Sequence, residues 1–249
     1  MKNLLIMKFG GTSMGSAERM RVAAEIIVEQ KKIRRVAVVV SAMSKTTDLL
    51  LDTMRHAELG DSATVQANLR NLLDRHLATC DQLLNIPDSE GHLVAASDAI
   101  RSLITEFERI ARGIAILGER PPRSMDEAVA IGEQLSAILL AYYLQSIGVD
   151  AQPVNAAELI VTDAVFGNAS PQMDATRVKC ADRLGPLIAD DIVPVVTGYN
   201  AATADGRPTT LGRGGSDFSA SILAAVLDAA ELWIWTDVDG IMSADPRLV

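Results

Sequence analysis

Thiols, histidines and aromatic rings are all scarce in this chain of 249 residues. Two cysteines, Cys80 and Cys180, cannot build a disulfide framework, so we expect a reducing compartment and a cytoplasmic protein. Neither an H-E-x-x-H nor a C-x-x-C motif occurs, and His56, His76 and His92 have no metal-ligand spacing. We therefore expect these histidines to be solvated, and we predict no metal site built from protein ligands.

A net positive charge and long apolar runs are lacking as well. The formal net charge of −9 argues against general binding to nucleic acids or anionic membranes. No apolar stretch reaches the ~18 residues that a membrane span needs. The first apolar run, residues 4–7, is interrupted by Lys8 and glycines, unlike a signal peptide. The remaining composition, with 49% hydrophobic residues, is typical of a soluble globular protein, and the net charge does not exclude small anionic ligands.

Both ends of the chain contain a strand–helix–strand pattern. Leu4–Phe9 and Arg35–Val40 are apolar, and the second, rich in β-branched residues, is typical of a strand buried on both faces of a parallel sheet. Between them we predict a helix at 16–32, with Ser16 as its N-cap and Glu18 in its first turn. Farther along, we predict strands at 151–155, 159–162, 192–197 and 231–236, and helices at 174–189 and 216–230.

Residues 46–148 have a helical period instead. Apolar residues recur at helical spacing, as in Leu103, Phe107, Ile110 and Ile114. We predict helices at 46–59, 62–84, 91–117 and 124–147. The pattern as a whole predicts an α/β fold, a three-layer αβα sandwich with a mainly parallel central sheet, and a helical subdomain of about residues 46–148 inserted into it.

The segment Lys8–Ser13, KFGGTS, lies between the first strand and the first helix. Backbone N–H groups in such a turn, and the positive end of the helix, can hold a phosphate. Gly10 and Gly11 let the backbone approach it closely, and Lys8 adds a mobile charge that can follow a transferring phosphoryl group. The two best-known phosphate-loop patterns are absent. Because a Gly-Gly pair more often marks a plain turn, this motif alone leaves both interpretations open.

Three further motifs follow predicted strands, where open α/β sheets bind ligands. Residues 210–217, TLGRGGSD, place Arg213 at a helix that Ser216 or Asp217 would cap, and Arg213 could bind a carboxylate or phosphate through two hydrogen bonds. Hydroxyl residues follow the second strand, and Thr236 and Asp237 follow the last. Each motif alone also fits a solvated turn or a helix cap. Their coincidence at several strand ends favours a binding site.

Gly132 and Glu133 form a further candidate pair inside a predicted helix. A glycine in a helix interior costs about 1 kcal/mol relative to alanine. Close approach of a ligand or of another backbone is one reason for tolerating that cost.

Taken in order, KFGGTS, SAMSKTT, the Gly132–Glu133 pair, GRGGSD and TDVDGIMSADPR resemble the motifs of the aspartokinases, a branch of the amino-acid kinase superfamily. The resemblance covers the whole chain, and the first and last two motifs are its most specific. It implies the carbamate-kinase-like fold of that superfamily. It also implies transfer of the γ-phosphate of ATP, with Mg²⁺, to the β-carboxylate of L-aspartate, the first step toward lysine, threonine and methionine.

The resemblance also implies roles for single residues. Lys8 would contact the transferring phosphate and Asp217 would orient Lys8. Arg213 would bind the α-carboxylate of aspartate, and Glu133 would lie near its amino group. The other implied substrate contacts are Ser41, Thr47 and Ser216, and the other implied nucleotide contacts are Gly10, Gly11, Ser13, Thr236, Asp237 and Arg247.

Some features depart from the aspartokinase pattern. Met242 stands where many members have tyrosine, and Asp239 where many have proline. The family continues into another ATP-binding lysine and into regulatory ACT domains. We therefore expect this chain to be the N-terminal catalytic part of a longer homo-oligomeric protein, and to be weakly active or inactive alone. Two alternatives stay open: a kinase for another small acid, and a non-catalytic binding module.

Overall fold

The structure, a computed structural model, describes residues 3–236. The predicted nucleotide contacts Asp237 and Arg247 lie outside the described residues, as do Asp239 and Met242. The strands are β1 Leu4–Phe9, β2 Arg35–Val40, β3 Ala151–Val154, β4 Val161–Thr162, β5 Val193–Thr197, β6 Asn200–Thr203, β7 Pro208–Thr210 and β8 Glu231–Trp235. The helices are α1 Ala17–Lys31, α2 Thr46–Glu58, α3 Ser62–Leu84, α4 Glu90–Leu117, α5 Pro122–Ser146, α6 Met173–Ala189 and α7 Gly215–Val226.

The main sheet has five strands in the order β3-β5-β2-β1-β8. Every pairing in it is parallel, with Lys8 of β1 opposite Val39 of β2 and Ile234 of β8. The carboxyl ends of the strands therefore meet at one edge of the sheet, as the predicted mainly parallel sheet requires.

Successive side chains of a strand point to opposite faces of the main sheet, and each face packs against its own layer of helices. Leu5 and Met7 of β1 belong to one apolar cluster, together with residues of α1 to α5. Leu4 and Ile6, which point to the other face, belong to a second cluster with residues of α6 and α7. The predicted three-layer αβα sandwich is confirmed.

Helices α2 to α5 occupy the region of predicted helical period, and their bounds lie within two residues of the predicted ones. These helices share their apolar cluster with one face of the main sheet. No described helix is both long and apolar enough to cross a membrane. Ser16 caps α1 as predicted, since its side chain accepts a hydrogen bond from the N–H of Arg19.

A second, three-stranded sheet in the order β4-β6-β7 was predicted only in part. Strand β4 lies within the strand predicted at 159–162, but it is confined to residues 161 and 162. Strands β6 and β7 were not predicted, because their sequences, NAAT and PTT, have no apolar alternation that a strand prediction could use. Strands β6 and β7 form an antiparallel hairpin. This small sheet lies beside the main one and carries the residues that lead into the TLGRGGSD segment.

The prediction that all three histidines are solvated was wrong for His76. Its side chain is fully buried in α3. Nδ1 donates to the carbonyl of Leu72 at 2.7 Å, and Nε2 has no hydrogen-bond partner among the described residues. Burial lowers the pKa of His76 to about 4. The packing of α3 against other helices, which the local sequence does not specify, explains this difference.

Candidate active site

A cavity of about 440 Å³ lies at the carboxyl edge of the main sheet. Seven predicted site residues, from β1, the loops after β2 and β7, and helices α2, α5 and α7, line it: Lys8, Ser41, Thr47, Glu133, Arg213, Ser216 and Asp217. Residues separated by up to 209 positions in the sequence thus line one cavity, as the strand-end argument predicted.

Lys8 and Asp217 form an ion pair inside this cavity, with 2.5 Å between Nζ and Oδ1. The lysine side chain is only 8% exposed, whereas that of Asp217 is 51% exposed. Lys8 therefore projects from the end of β1 into a largely enclosed position, and Asp217 in the first turn of α7 holds its ammonium group there.

The glycine turn after β1 is only partly free to bind a phosphate. The N–H of Gly10 donates to the carbonyl of Trp235 at 3.1 Å, so it is already used. In contrast, the N–H groups of Gly11, Thr12 and Ser13 donate to no described residue. A Cβ at Gly11 would lie 3.0 Å from the carbonyl oxygen of Ala42, a tight contact that favours glycine at this position.

Glu133 is the most unusual titratable group of the cavity. Oε1 accepts a hydrogen bond from the N–H of Ala42 at 3.2 Å, but Oε2 is buried without a hydrogen-bond partner among the described residues. Burial raises the pKa of Glu133 to about 8, against a smaller opposing effect of backbone hydrogen bonds. An unpaired carboxylate oxygen at a cavity wall is suited to a cationic ligand group, since binding would supply the missing partner.

Gly132 has the packing reason that the sequence left open. A Cβ at this position would lie 2.9 Å from Cβ of Ala42 and 3.3 Å from Cδ1 of Leu50. The glycine therefore lets α5 approach the loop after β2, and this approach brings the Glu133 carboxyl group to the N–H of Ala42.

Arg213 lies in the loop that leads from β7 into α7. Arg213 is exposed, and no described carboxylate forms an ion pair with its guanidinium. The flanking Gly212 and Gly214 have φ values of 74° and 76°, in the left-handed region that favours glycine. The guanidinium of Arg213 is thus available to an anionic ligand in the cavity.

The predicted capping of α7 by Ser216 or Asp217 was wrong. The N-cap is Gly214 and no side chain caps the helix. The Asp217 carboxylate is directed to Lys8 instead. A Cβ at Gly198, after β5, would lie 2.6 Å from Cβ of Ser216, so this glycine permits the start of α7 to pack on the sheet edge.

The predicted nucleotide contacts among the described residues do not all lie in one cavity. Ser13 and Thr236 line a separate cavity of about 310 Å³ beside α1, with Phe9 and Trp235, whose rings are stacked at 6.2 Å. Gly10 and Gly11 line neither cavity, although a Cβ at Gly10 would lie 3.5 Å from Nζ of Lys8.

Sequence reasoning missed two contributors to the main cavity, Tyr199 and Gly167. Tyr199 lies two residues after the end of β5, with a φ of 67° that is uncommon for a residue with a side chain. Its position after a predicted strand was the signal that could have identified it. Gly167 lies in an irregular loop and had no such signal.

Within residues 3–236, no three His, Cys, Asp or Glu side chains are grouped closely enough to hold a metal ion. Mg²⁺ in phosphoryl-transfer sites is usually held by one or two carboxylates, substrate phosphates and water, so this residue set is compatible with a metal that enters with a nucleotide.

The model of the amino acid kinase family matches residues 3–249. The bifunctional aspartokinase/homoserine dehydrogenase 1, chloroplastic, of Arabidopsis thaliana is 37% identical over 97% of this chain and 26% of its own length. The lysine-sensitive aspartokinase 3 of Escherichia coli is 33% identical over the whole of this chain and 52% of its own length.

Among solved structures, E. coli aspartokinase III in complex with aspartate and ADP superimposes with a TM-score of 0.87 at 31% identity. The match covers 99% of this chain and 52% of that one. The chain thus spans between about a quarter and half of the length of these relatives.

Proposed function

Because the chain belongs to the amino acid kinase family, we propose that it forms the kinase part of an aspartokinase, which transfers the γ-phosphate of ATP to the β-carboxylate of L-aspartate. The observation that supports this best is a single cavity that contains an enclosed lysine–aspartate pair, an arginine and a buried carboxylate. Among the described residues, that arginine has no ion-pair partner and one oxygen of that carboxylate has no hydrogen-bond partner. The relatives named aspartokinase, and the bound aspartate and ADP named for one of them, favour the same substrates.

The chemistry needs no general base. A β-carboxylate with a reference pKa near ~4 is already ionised at neutral pH and is itself the nucleophile. The new bond joins a carboxylate oxygen to the γ-phosphorus, the bond to the ADP oxygen breaks, and ADP leaves with that electron pair. The obstacle is repulsion between a carboxylate and a polyanion, so catalysis consists of in-line positioning and charge neutralisation.

Lys8 and the glycine turn supply the neutralisation. The ammonium group of Lys8 would bind the transferring phosphoryl group, and Asp217 would keep it aimed into the cavity. The N–H groups of Gly11, Thr12 and Ser13, which donate to no residue within 3–236, would donate to phosphate oxygens. Mg²⁺ would be held mainly by the nucleotide phosphates and would supply additional charge neutralisation.

Arg213 and Glu133 supply the positioning. An arginine can bind the α-carboxylate of an amino acid through two parallel hydrogen bonds. The free Oε2 of Glu133 would accept a hydrogen bond from its ammonium group. Ser41, Thr47 and Ser216 add hydroxyl groups along the same cavity. This arrangement selects a substrate with both charges of an amino acid. Thr236, Asp237 and Arg247 remain proposed nucleotide contacts, and homo-oligomerisation remains a prediction.

The test is coupled detection of ADP release by the full-length protein with L-aspartate, L-glutamate or N-acetyl-L-glutamate as acceptor. We expect turnover with aspartate. We expect its loss in the Asp217→Asn variant, which removes the negative charge that holds the ammonium group of Lys8. Turnover with another acid and not with aspartate would assign a different kinase. Binding of aspartate and ATP without any ADP release would identify a non-catalytic binding module.

A further inference from the structure

One face of α5 carries three polar connections at helical spacing, at positions 126, 130 and 133. Asp126, only 3% exposed, makes the first. The backbone carbonyl of Ala130 makes the second, accepting a hydrogen bond from Nδ2 of Asn200 at 3.0 Å. Glu133, two turns after Asp126, faces the main cavity. The same helix face therefore contacts the small sheet and contributes to the proposed ammonium site.

Asp126 joins α5 to two other segments. Oδ2 accepts the N–H groups of Gly167 at 2.8 Å and of Thr210 at 3.2 Å. Oδ1 accepts the hydroxyl of Thr210 at 2.7 Å. Burying a carboxylate carries a desolvation penalty in free energy. Burial raises the pKa of Asp126, and the hydrogen bonds from Thr210 and Gly167 oppose that rise. An apolar side chain could fill the same space but could not bind three donors in one geometry.

Both segments held by Asp126 border the Arg213 loop. Thr210 is the last residue of β7, three positions before Arg213. Gly167 lines the main cavity, and its neighbour Asn168 packs on the loop so closely that a Cβ at Gly212 would lie 2.2 Å from Oδ1 of that asparagine. The N–H of Ala169 also donates to the carbonyl of Thr210 at 2.8 Å. The two segments are thus fastened to each other and, through Asp126, to α5.

We propose that Asp126 is a positioning residue that sets the separation between Glu133 and Arg213, and thereby the fit of the amino-acid substrate. Glu133 is fixed on α5, whereas Arg213 is on an exposed loop. Asp126 holds both flanks of that loop to α5, beside the hydrogen bond between Asn200 of β6 and the carbonyl of Ala130. This inference rests on the proposed function, because Glu133 and Arg213 matter together only if they bind the two charged groups of one ligand.

The experiment compares three variants of the full-length protein by KM, kcat and the ratio of kcat/KM for L-aspartate over L-glutamate. Asp126→Ala removes all three hydrogen bonds and should raise KM for aspartate by about tenfold to a hundredfold, as expected for a misplaced clamp. KM for ATP should change less than about threefold, because Lys8 and the glycine turn are attached elsewhere.

Asp126→Asn is the conservative variant. Its carbonyl oxygen can accept both N–H groups, and its amide can donate to the oxygen of Thr210, so KM for aspartate should stay within about threefold of the unchanged protein. Asp163→Ala is the matched control, because Oδ1 of Asp163 also accepts two backbone N–H groups of the same loop but does not reach α5. That variant should leave KM for aspartate nearly unchanged.

Equal rises of KM in Asp126→Ala and Asp163→Ala, or an Asp126→Asn variant as impaired as Asp126→Ala, would overturn the inference. A lower kcat in Asp126→Ala, with an unchanged KM for aspartate and an unchanged ratio of kcat/KM for aspartate over glutamate, would also overturn it. If Asp126→Ala does not fold, Thr210→Val, which removes only the hydroxyl bond, should still raise KM for aspartate a few-fold, and an unchanged KM would refute the proposal. Absence of turnover and of aspartate binding in the unchanged protein would instead refute the proposed function.

Discussion

The affinity for aspartate should increase with pH because of Glu133. Its pKa is about 8 in the ligand-free protein, since the carboxyl group is buried and, among the described residues, only Oε1 has a partner, the N–H of Ala42. An ammonium group bound at Oε2 favours the ionised form, so binding must first remove a proton that most molecules carry at pH 7. The cost is about 1.4 kcal/mol for each pH unit below the pKa.

The size of the effect follows from this linkage. With full ionisation of Glu133 in the complex, the dissociation constant should be weakened about elevenfold at pH 7 and about a hundredfold at pH 6, relative to its high-pH limit. Between pH 8 and pH 6 the change is therefore about fiftyfold. The carboxylates of aspartate remain ionised throughout this range and contribute nothing to the slope.

Isothermal titration calorimetry measures both parts of this prediction. Titrations with aspartate at pH 6, 7 and 8 give the dissociation constants. Titrations in two buffers of different ionisation enthalpy at pH 7 should reveal release of about 0.9 proton per ligand. Glu133→Gln should bind more weakly at pH 8 and should lose both the pH dependence and the proton release. A dissociation constant that is flat from pH 6 to 8, with no buffer-dependent heat, would refute the assignment of Glu133 to the ammonium group.

Three other predictions concern catalysis and stability. Lys8→Ala should lower kcat far more than it weakens aspartate binding, and a near-normal kcat would contradict its role at the phosphoryl group. Gly132→Ala should destabilise the protein by about 1–3 kcal/mol in urea unfolding, because its Cβ would overlap Ala42. Gly113→Ala, in open space in α4, should instead stabilise it by about 1 kcal/mol, and equal effects would refute the packing argument. Burial lowers the pKa of His76 from 6.5 to about 4, so the folded protein should lose about 3 kcal/mol of stability as pH falls from 6.5 to 4. His76→Leu should abolish that pH dependence in acid-unfolding curves.

Much of the architecture could be predicted because it depends on local patterns. Apolar runs of β-branched residues identify buried parallel strands, and a 3.6-residue period identifies helices, so β1, β2 and α2 to α5 were located within two residues. The parallel arrangement then brings the carboxyl ends of strands together. For that reason Lys8, Ser41 and Arg213 could be assigned to one site before their distances were known.

The short strands β6 and β7 could not be predicted, because strands of three or four small residues are held by partners distant in the sequence and have no apolar pattern of their own. For the same reason, the role of Asp126 was not visible: its three donors lie 41 and 84 residues away. The burial of His76 likewise depends on neighbouring helices.

Residue chemistry and local periodicity were therefore sufficient to predict the class of fold, the strand ends that would carry a site and the charges that a ligand would meet there. Three-dimensional packing decided which of those charges have partners among the described residues. It pairs Lys8 with Asp217, leaves Oε2 of Glu133 without a partner within residues 3–236 and uses the N–H of Gly10 within the sheet edge. Burial and hydrogen-bond satisfaction depend on all the segments that surround a group, so they cannot be read from the few residues beside it in the sequence.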